Sequence, residues 1–176
     1  MSFIIYTDGA YNNKLNKGGI AAIIFKNGQY IHTIQQGFCN TTNQRMELTA
    51  VLSALQYIKN NYKIKEVEVY TDSTYIVDTI NTKRLQKWEM LKWVNNKNEK
   101  VANKDLWQLF LSYSKCKLKF IWIKGHNDNK INEIVDKLAK QAINKTSGIN
   151  EYVWLAQKES KKKIKIKIDI NQNSLF

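Results

Sequence analysis

Asp8, Glu47, Asp72 and Asp136 each stand at the end of a different apolar element of the chain. Two of them sit in almost the same phrase, Tyr6-Thr7-Asp8-Gly9 and Tyr70-Thr71-Asp72-Ser73, and each phrase follows a strand-like run, Phe3-Ile4-Ile5 or Val67-Glu68-Val69. If those strands are neighbours in a parallel sheet, ~4.8 Å apart, they end level and present both carboxylates on one face. Ionised carboxylates that close repel strongly unless they share a proton or a cation. A donor set made only of carboxylate oxygens selects a hard divalent cation such as Mg2+ or Mn2+. Two such ions ~3.5–4 Å apart can activate a water and stabilise the leaving oxygen in a phosphodiester displacement. Taken singly, each acid has a plainer role: Asp8 and Asp72 as turn or cap residues, Glu47 as a complement to a helix N-terminus, Asp136 as a surface position. The joint pattern is what points to a metal site.

The elements that must carry these acids follow from periodicity. Residues 3–8 read as a buried strand, and residues 20–25 and 30–37 as two more, joined at Lys26-Asn27-Gly28 by a hairpin signal. Leu48, Val51, Leu52, Leu55 and Ile58 keep a helical period, and Thr41 with Gln44 fits a capping box that leaves Glu47 at the exposed end of that helix. Residues 66–71 read as a fourth strand and 118–123 as a fifth, with helices starting at Ser73, around Leu106 and over 132–143. A hairpin start followed by alternating units predicts an α/β fold, a five-stranded mixed sheet flanked by helices, with sites gathered at strand ends. Residues 1–147 form the expected catalytic domain. Residues 148–176 form a basic extension of unknown role, in which Ile164, Ile166, Ile168 and Ile170 alternate with Lys163, Lys165 and Lys167.

A chain of 176 residues with 43% hydrophobic content suits one globular domain with an appendage. Its apolar runs are too short to span a membrane, and its start lacks the pattern of a secretory signal. With Cys39 and Cys116 its only cysteines, a reduced, cytoplasmic protein is expected. The formal net charge of +13 favours a polyanionic partner, because Lys and Arg release counterions from a nucleic-acid backbone.

Tyr-Thr-Asp-Gly at 6–9, Thr-Thr-Asn-Gln-Arg-Met-Glu-Leu at 41–48, Tyr-Thr-Asp-Ser at 70–73, Lys-Gly-His at 124–126 and Asn-Glu-Ile-Val-Asp-Lys-Leu-Ala at 132–139 occur together and in order. In these segments the chain resembles the type 1 (bacterial-type) ribonuclease H family over about residues 3–145. The resemblance implies the ribonuclease H-like fold and a metal-dependent endonuclease that cuts the RNA strand of RNA–DNA hybrids without base-sequence preference, leaving 5′-phosphate and 3′-hydroxyl ends. It places two Mg2+ ions, with Mn2+ as a substitute, on Asp8, Glu47, Asp72 and Asp136, Asp8 bridging both. It makes His126, in a glycine-preceded polar loop, a proton shuttle or product-release group, which its neutral titration range suits.

The same resemblance assigns substrate contacts. Asn43 and Gln44 would meet the minor groove and the 2′-hydroxyls that distinguish RNA from DNA. Thr42, with Asn103, would touch the DNA-strand phosphate, and Tyr11, Asn12 and Asn16 in the first loop would approach the RNA. Residues 83–104 carry Lys87, Lys92 and other cations with Trp88 and Trp93, a basic protrusion expected to grip the DNA strand; Trp107 is expected in the core. The first loop, 12–17, lacks the proline and glycine richness common in bacterial members, and Asn40 stands where many carry a basic residue. Two other classes compete: the same chemistry in an integrase, transposase or reverse-transcriptase setting, and a hybrid-binding module without turnover. The compact length argues against the first and the presence of all four acids against the second. A monomer without an obligate protein partner is expected.

Overall fold

The computed structural model describes residues 2–95, 97–124, 129–146 and 148–158. Five strands, β1 (Ser2–Asn12), β2 (Lys17–Lys26), β3 (Gln29–Cys39), β4 (Glu66–Thr71) and β5 (Lys117–Trp122), form one sheet in the order β3-β2-β1-β4-β5. β1–β2 and β2–β3 are antiparallel, whereas β1–β4 and β4–β5 are parallel. This is the mixed α/β sheet expected from the sequence. Asn27 and Gly28, with φ of 49° and 81°, turn β2 into β3 through the left-handed backbone that an Asn-Gly pair tolerates.

Alternation along the strands sends side chains to two different cores. Phe3, Ile5, Ile20, Ala22, Ile24, Val67 and Val69 belong to the larger one, with residues of α1 (Asn43–Asn61), α2 (Thr74–Asn81), α3 (Arg84–Met90) and α4 (Lys104–Leu111). Ala21 and Ile23, with Tyr6 and Phe25, pack under α5 (Lys130–Ala142) on the opposite face. A short 3-10 turn (Ile143–Lys145) follows, and residues 151–158 form a further helix, α6. Trp154 and Leu155 of α6 belong to the larger core, so the chain beyond residue 147 begins as part of the packed body.

Two details differ from the sequence reading. β1 and β2 run further than expected, because their antiparallel ladder continues to Asn12 opposite Lys17 through polar and glycine positions that hide a strand signal. The cap of α1 is Thr42 and not Thr41: Thr42 is extended (φ −138°, ψ 164°), and its hydroxyl accepts from the Arg45 amide at 3.3 Å. Thr41 is buried instead and donates to Glu151 at 3.4 Å.

Candidate active site

The parallel register sets Tyr6 opposite Tyr70, and their rings stack at 4.8 Å with 19° between planes. Two residues further on, Asp8 and Asp72 therefore end level on the same face, as the repeated phrase predicts. Gly9 points to the other face, where an added Cβ would overlap the backbone of Met46 and Glu47. Its missing side chain lets the first turn of α1 settle against β1 and brings Glu47 beside Asp8. Gly19 does the same on the opposite face: a Cβ there would overlap the Ala139 carbonyl, so α5 can lie close over β2 and present Asp136.

Asp8, Glu47, Asp72 and Asp136 consequently line one cleft of about 750 Å³, together with Tyr11, Asn12, Asn13, Lys14, Asn43 and Lys140. Asp8 lies at its floor, 8% exposed, with its Oδ1 accepting from the Gly9 amide at 2.7 Å. Burial pushes its pKa from 3.8 up to about 8, and the like charges of Asp72, Asp136 and Glu47 push the same way, against the Gly9 amide. Burial also raises Glu47, whose Oε1 accepts from Asn43 Nδ2 at 2.7 Å and whose Oε2 accepts from the Ser73 hydroxyl. Asp136 pairs with Lys140 one turn along α5, 2.8 Å away. The exposed indole of Trp122 donates to the Asp72 carbonyl at 3.1 Å and ties the end of β5 to the end of β4.

Among the described residues, no three acidic, histidine or cysteine side chains stand ready-made as an ion cage. The bonds just given supply a reason: Glu47 is turned to Asn43 and Ser73, and Asp136 to Lys140. The donor set is nonetheless all carboxylate oxygen, with a floor residue that burial and like charge hold near neutrality, which fits a hard divalent cation better than any soft one. Lys140 and Ser73 are site residues that the sequence reading passed over. Lys140 was signalled by its place four residues after Asp136, whereas Ser73 read only as the start of a helix, which it caps by accepting from the Ile76 amide.

The other expected contacts divide. Tyr11, Asn12 and Asn43 line the acidic cleft, and Thr42 and Gln44 are exposed beside it. Asn16 (φ 47°) donates to Asn40 at 3.0 Å and accepts from the Tyr11 hydroxyl at 3.2 Å, so asparagines brace a first loop that lacks proline. Lys87 and Trp88 line a second cleft of about 490 Å³ with Arg84 and Lys97, and Lys92 is exposed. Trp93 departs from expectation. It is 8% exposed within the larger core, because left-handed backbone at Lys92 and Trp93 turns its ring inward, away from any docked strand. Trp107 is fully buried, as expected. Asn103 donates to the Tyr75 hydroxyl at 3.2 Å. His126 and the isoleucine–lysine alternation of 161–170 lie outside the described residues.

The chain is similar to known proteins over most of its length. The sequence profile of the RNase H family matches residues 1–144. The Ribonuclease H of Caldicellulosiruptor saccharolyticus is 41% identical over 142 residues, covering 80% of this chain and 94% of that protein. That of Clostridium botulinum is 41% identical over 143 residues, again 80% of this chain and 94% of the relative. Among solved structures, LC11-RNase H1 in complex with an RNA/DNA hybrid superposes with a TM-score of 0.57 at 25% identity, covering 81% of this chain and 97% of that one. The chain belongs to the RNase H family, and it is a ribonuclease H enzyme.

Proposed function

We propose that this enzyme is an endonuclease that hydrolyses the RNA strand of RNA–DNA hybrids with the help of two divalent cations, leaving 5′-phosphate and 3′-hydroxyl ends without base-sequence preference. The observation that carries the reading is the convergence of Asp8, Glu47, Asp72 and Asp136, from two strand ends and two helices, on one cleft rimmed by amides and lysines. These four would hold Mg2+, with Mn2+ as a substitute, Asp8 in the centre. When bound, the ions would supply an activated water and stabilise the departing oxygen. The chain's own residues do the rest. Asn43 holds Glu47 in place and, with Gln44 and Thr42, offers exposed polar groups where a minor groove would pass. Tyr11 and Asn12 form the wall of the cleft nearest the scissile strand, while Lys87, Lys92, Trp88 and Asn103 offer contacts to the other strand. His126 would move a proton or ease product departure. A monomer acting in the cytoplasm completes the reading; none of the described helices is long and apolar enough to cross a membrane.

The test is cleavage of an end-labelled hybrid with Mg2+, beside RNA duplex and DNA duplex. The RNA strand of the hybrid alone is cut, and Asp8→Asn or Asp72→Asn lowers the rate by at least about a thousandfold. Undiminished cutting by both variants would remove these acids from the site.

A further inference from the structure

The family profile ends at residue 144, yet the chain goes on to build into the core. α6 is seated by Leu155, which is fully buried, by Trp154, whose ring meets Phe38 edge-on at 5.5 Å, and by a hydrogen bond from Gln56 Nε2 to the Leu155 carbonyl at 3.0 Å. Its first residue, Glu151, is a carboxylate with no solvent exposure. Arg45 Nε donates to Glu151 Oε1, and the two ends of the same guanidinium donate to Asp105 at 3.0 and 2.6 Å. Glu151 Oε2 is buried without a hydrogen-bond donor among the described residues.

Such a group is a poor device for stability. A buried ion pair with an oxygen left over gains little over apolar residues of the same volume. What it does control is position. Thr41 and Arg45, the two residues that Glu151 holds, bracket Thr42-Asn43-Gln44, and Arg45 Nη1 also reaches Asn103 Oδ1 at 3.5 Å. One guanidinium thereby ties together the start of α1, the start of α4 and α6.

We propose that Glu151 is a positioning residue: through the Glu151–Arg45–Asp105 bridge, the C-terminal helix holds the 42–44 turn and Asn103 as one rigid surface against which the hybrid backbone docks. The proposal rests on the hybrid-cleaving function argued above. It extends the working domain past the family boundary, to residue 158 at least.

Glu151→Gln keeps the volume and removes the charge, and Arg45→Lys cannot bridge two carboxylates. Each is made in the full chain and read in two ways. In steady-state cleavage of a hybrid, KM rises roughly tenfold while kcat falls less than about threefold, and the double variant is no worse than either single one. In amide hydrogen exchange, which needs no turnover, residues 42–47 exchange faster in both variants. Ile58→Val, a core change at the far end of α1, lowers Tm but leaves KM at the parent's value. Unchanged exchange at 42–47, an unchanged KM in Glu151→Gln, or an equal rise of KM in Ile58→Val overturns the proposal. A parent enzyme that fails to cut hybrid sinks the assigned function instead, and exchange alone then decides whether the bridge orders the turn.

Discussion

Burial at the floor of the cleft, with like charges around it, pushes the Asp8 carboxyl far up, and its folding energetics show the sign of that push. Its pKa is about 8 in the folded protein against 3.8 ordinarily. Between those values the folded state binds more protons than the unfolded one, so stability falls as pH rises from about 4 towards about 8. Asp8→Asn removes this cost: in metal-free buffer at neutral pH the variant gains about 1–3 kcal/mol, a rise in Tm of several degrees, while losing cleavage. A scanning-calorimetry series against pH checks it, and a parental Tm in Asp8→Asn would mean that the acid is not strained. Asp8 and Asp72 were legible in the sequence because one phrase occurs twice. Glu151 was not. A glutamate in a polar, lysine-rich tail reads as solvated, and only the fold shows that it meets Arg45, 106 positions earlier.

Helices and strands add a second layer, in which small residues decide how closely elements approach. Gly9→Ala would drive a methyl into the backbone of Met46 and Glu47, which has no side-chain freedom to yield. The expected result is a loss of about 2–3 kcal/mol in urea unfolding, with kcat lowered by at least about tenfold as α1 backs away and carries Glu47 with it. Full activity in that variant would mean that the position of α1 is not critical. The strands and the hairpin were readable from apolar runs and from Asn-Gly, and α1 from its apolar period, whereas the order β3-β2-β1-β4-β5 across the sheet is given by the fold. Residues 91–103 were not, because Lys92, Trp93, Asn98 and Asn103 all have positive φ, and no periodic pattern announces a chain that repeatedly turns left-handed. That is why Trp93, alike on paper to Trp88 of α3, separates from it in the fold. Trp88 lines a cleft, whereas Trp93 packs inside.

The whole molecule presents a contradiction in charge, a chain of net charge +13 with a pocket of carboxylates at its centre. On the proposed function, long-range attraction belongs to the lysines and local chemistry to the acids. Raising NaCl from about 50 to 200 mM should therefore raise KM for hybrid at least about tenfold with little change in kcat, because docking releases counterions and the chemical step does not. A salt-independent KM would assign docking to uncharged contacts. Composition alone points to a polyanionic partner. The placement of its cations around the cleft depended on contacts between residues far apart in sequence, which composition does not encode.

The order in which the parts are made has a consequence for biosynthesis. β1 and β4 leave the ribosome well before Asp136 on α5 and Glu151 on α6. A nascent chain thus carries Asp8, Glu47 and Asp72 before α5 supplies Asp136. The cleft closes only once α5 has been made and has packed over β2.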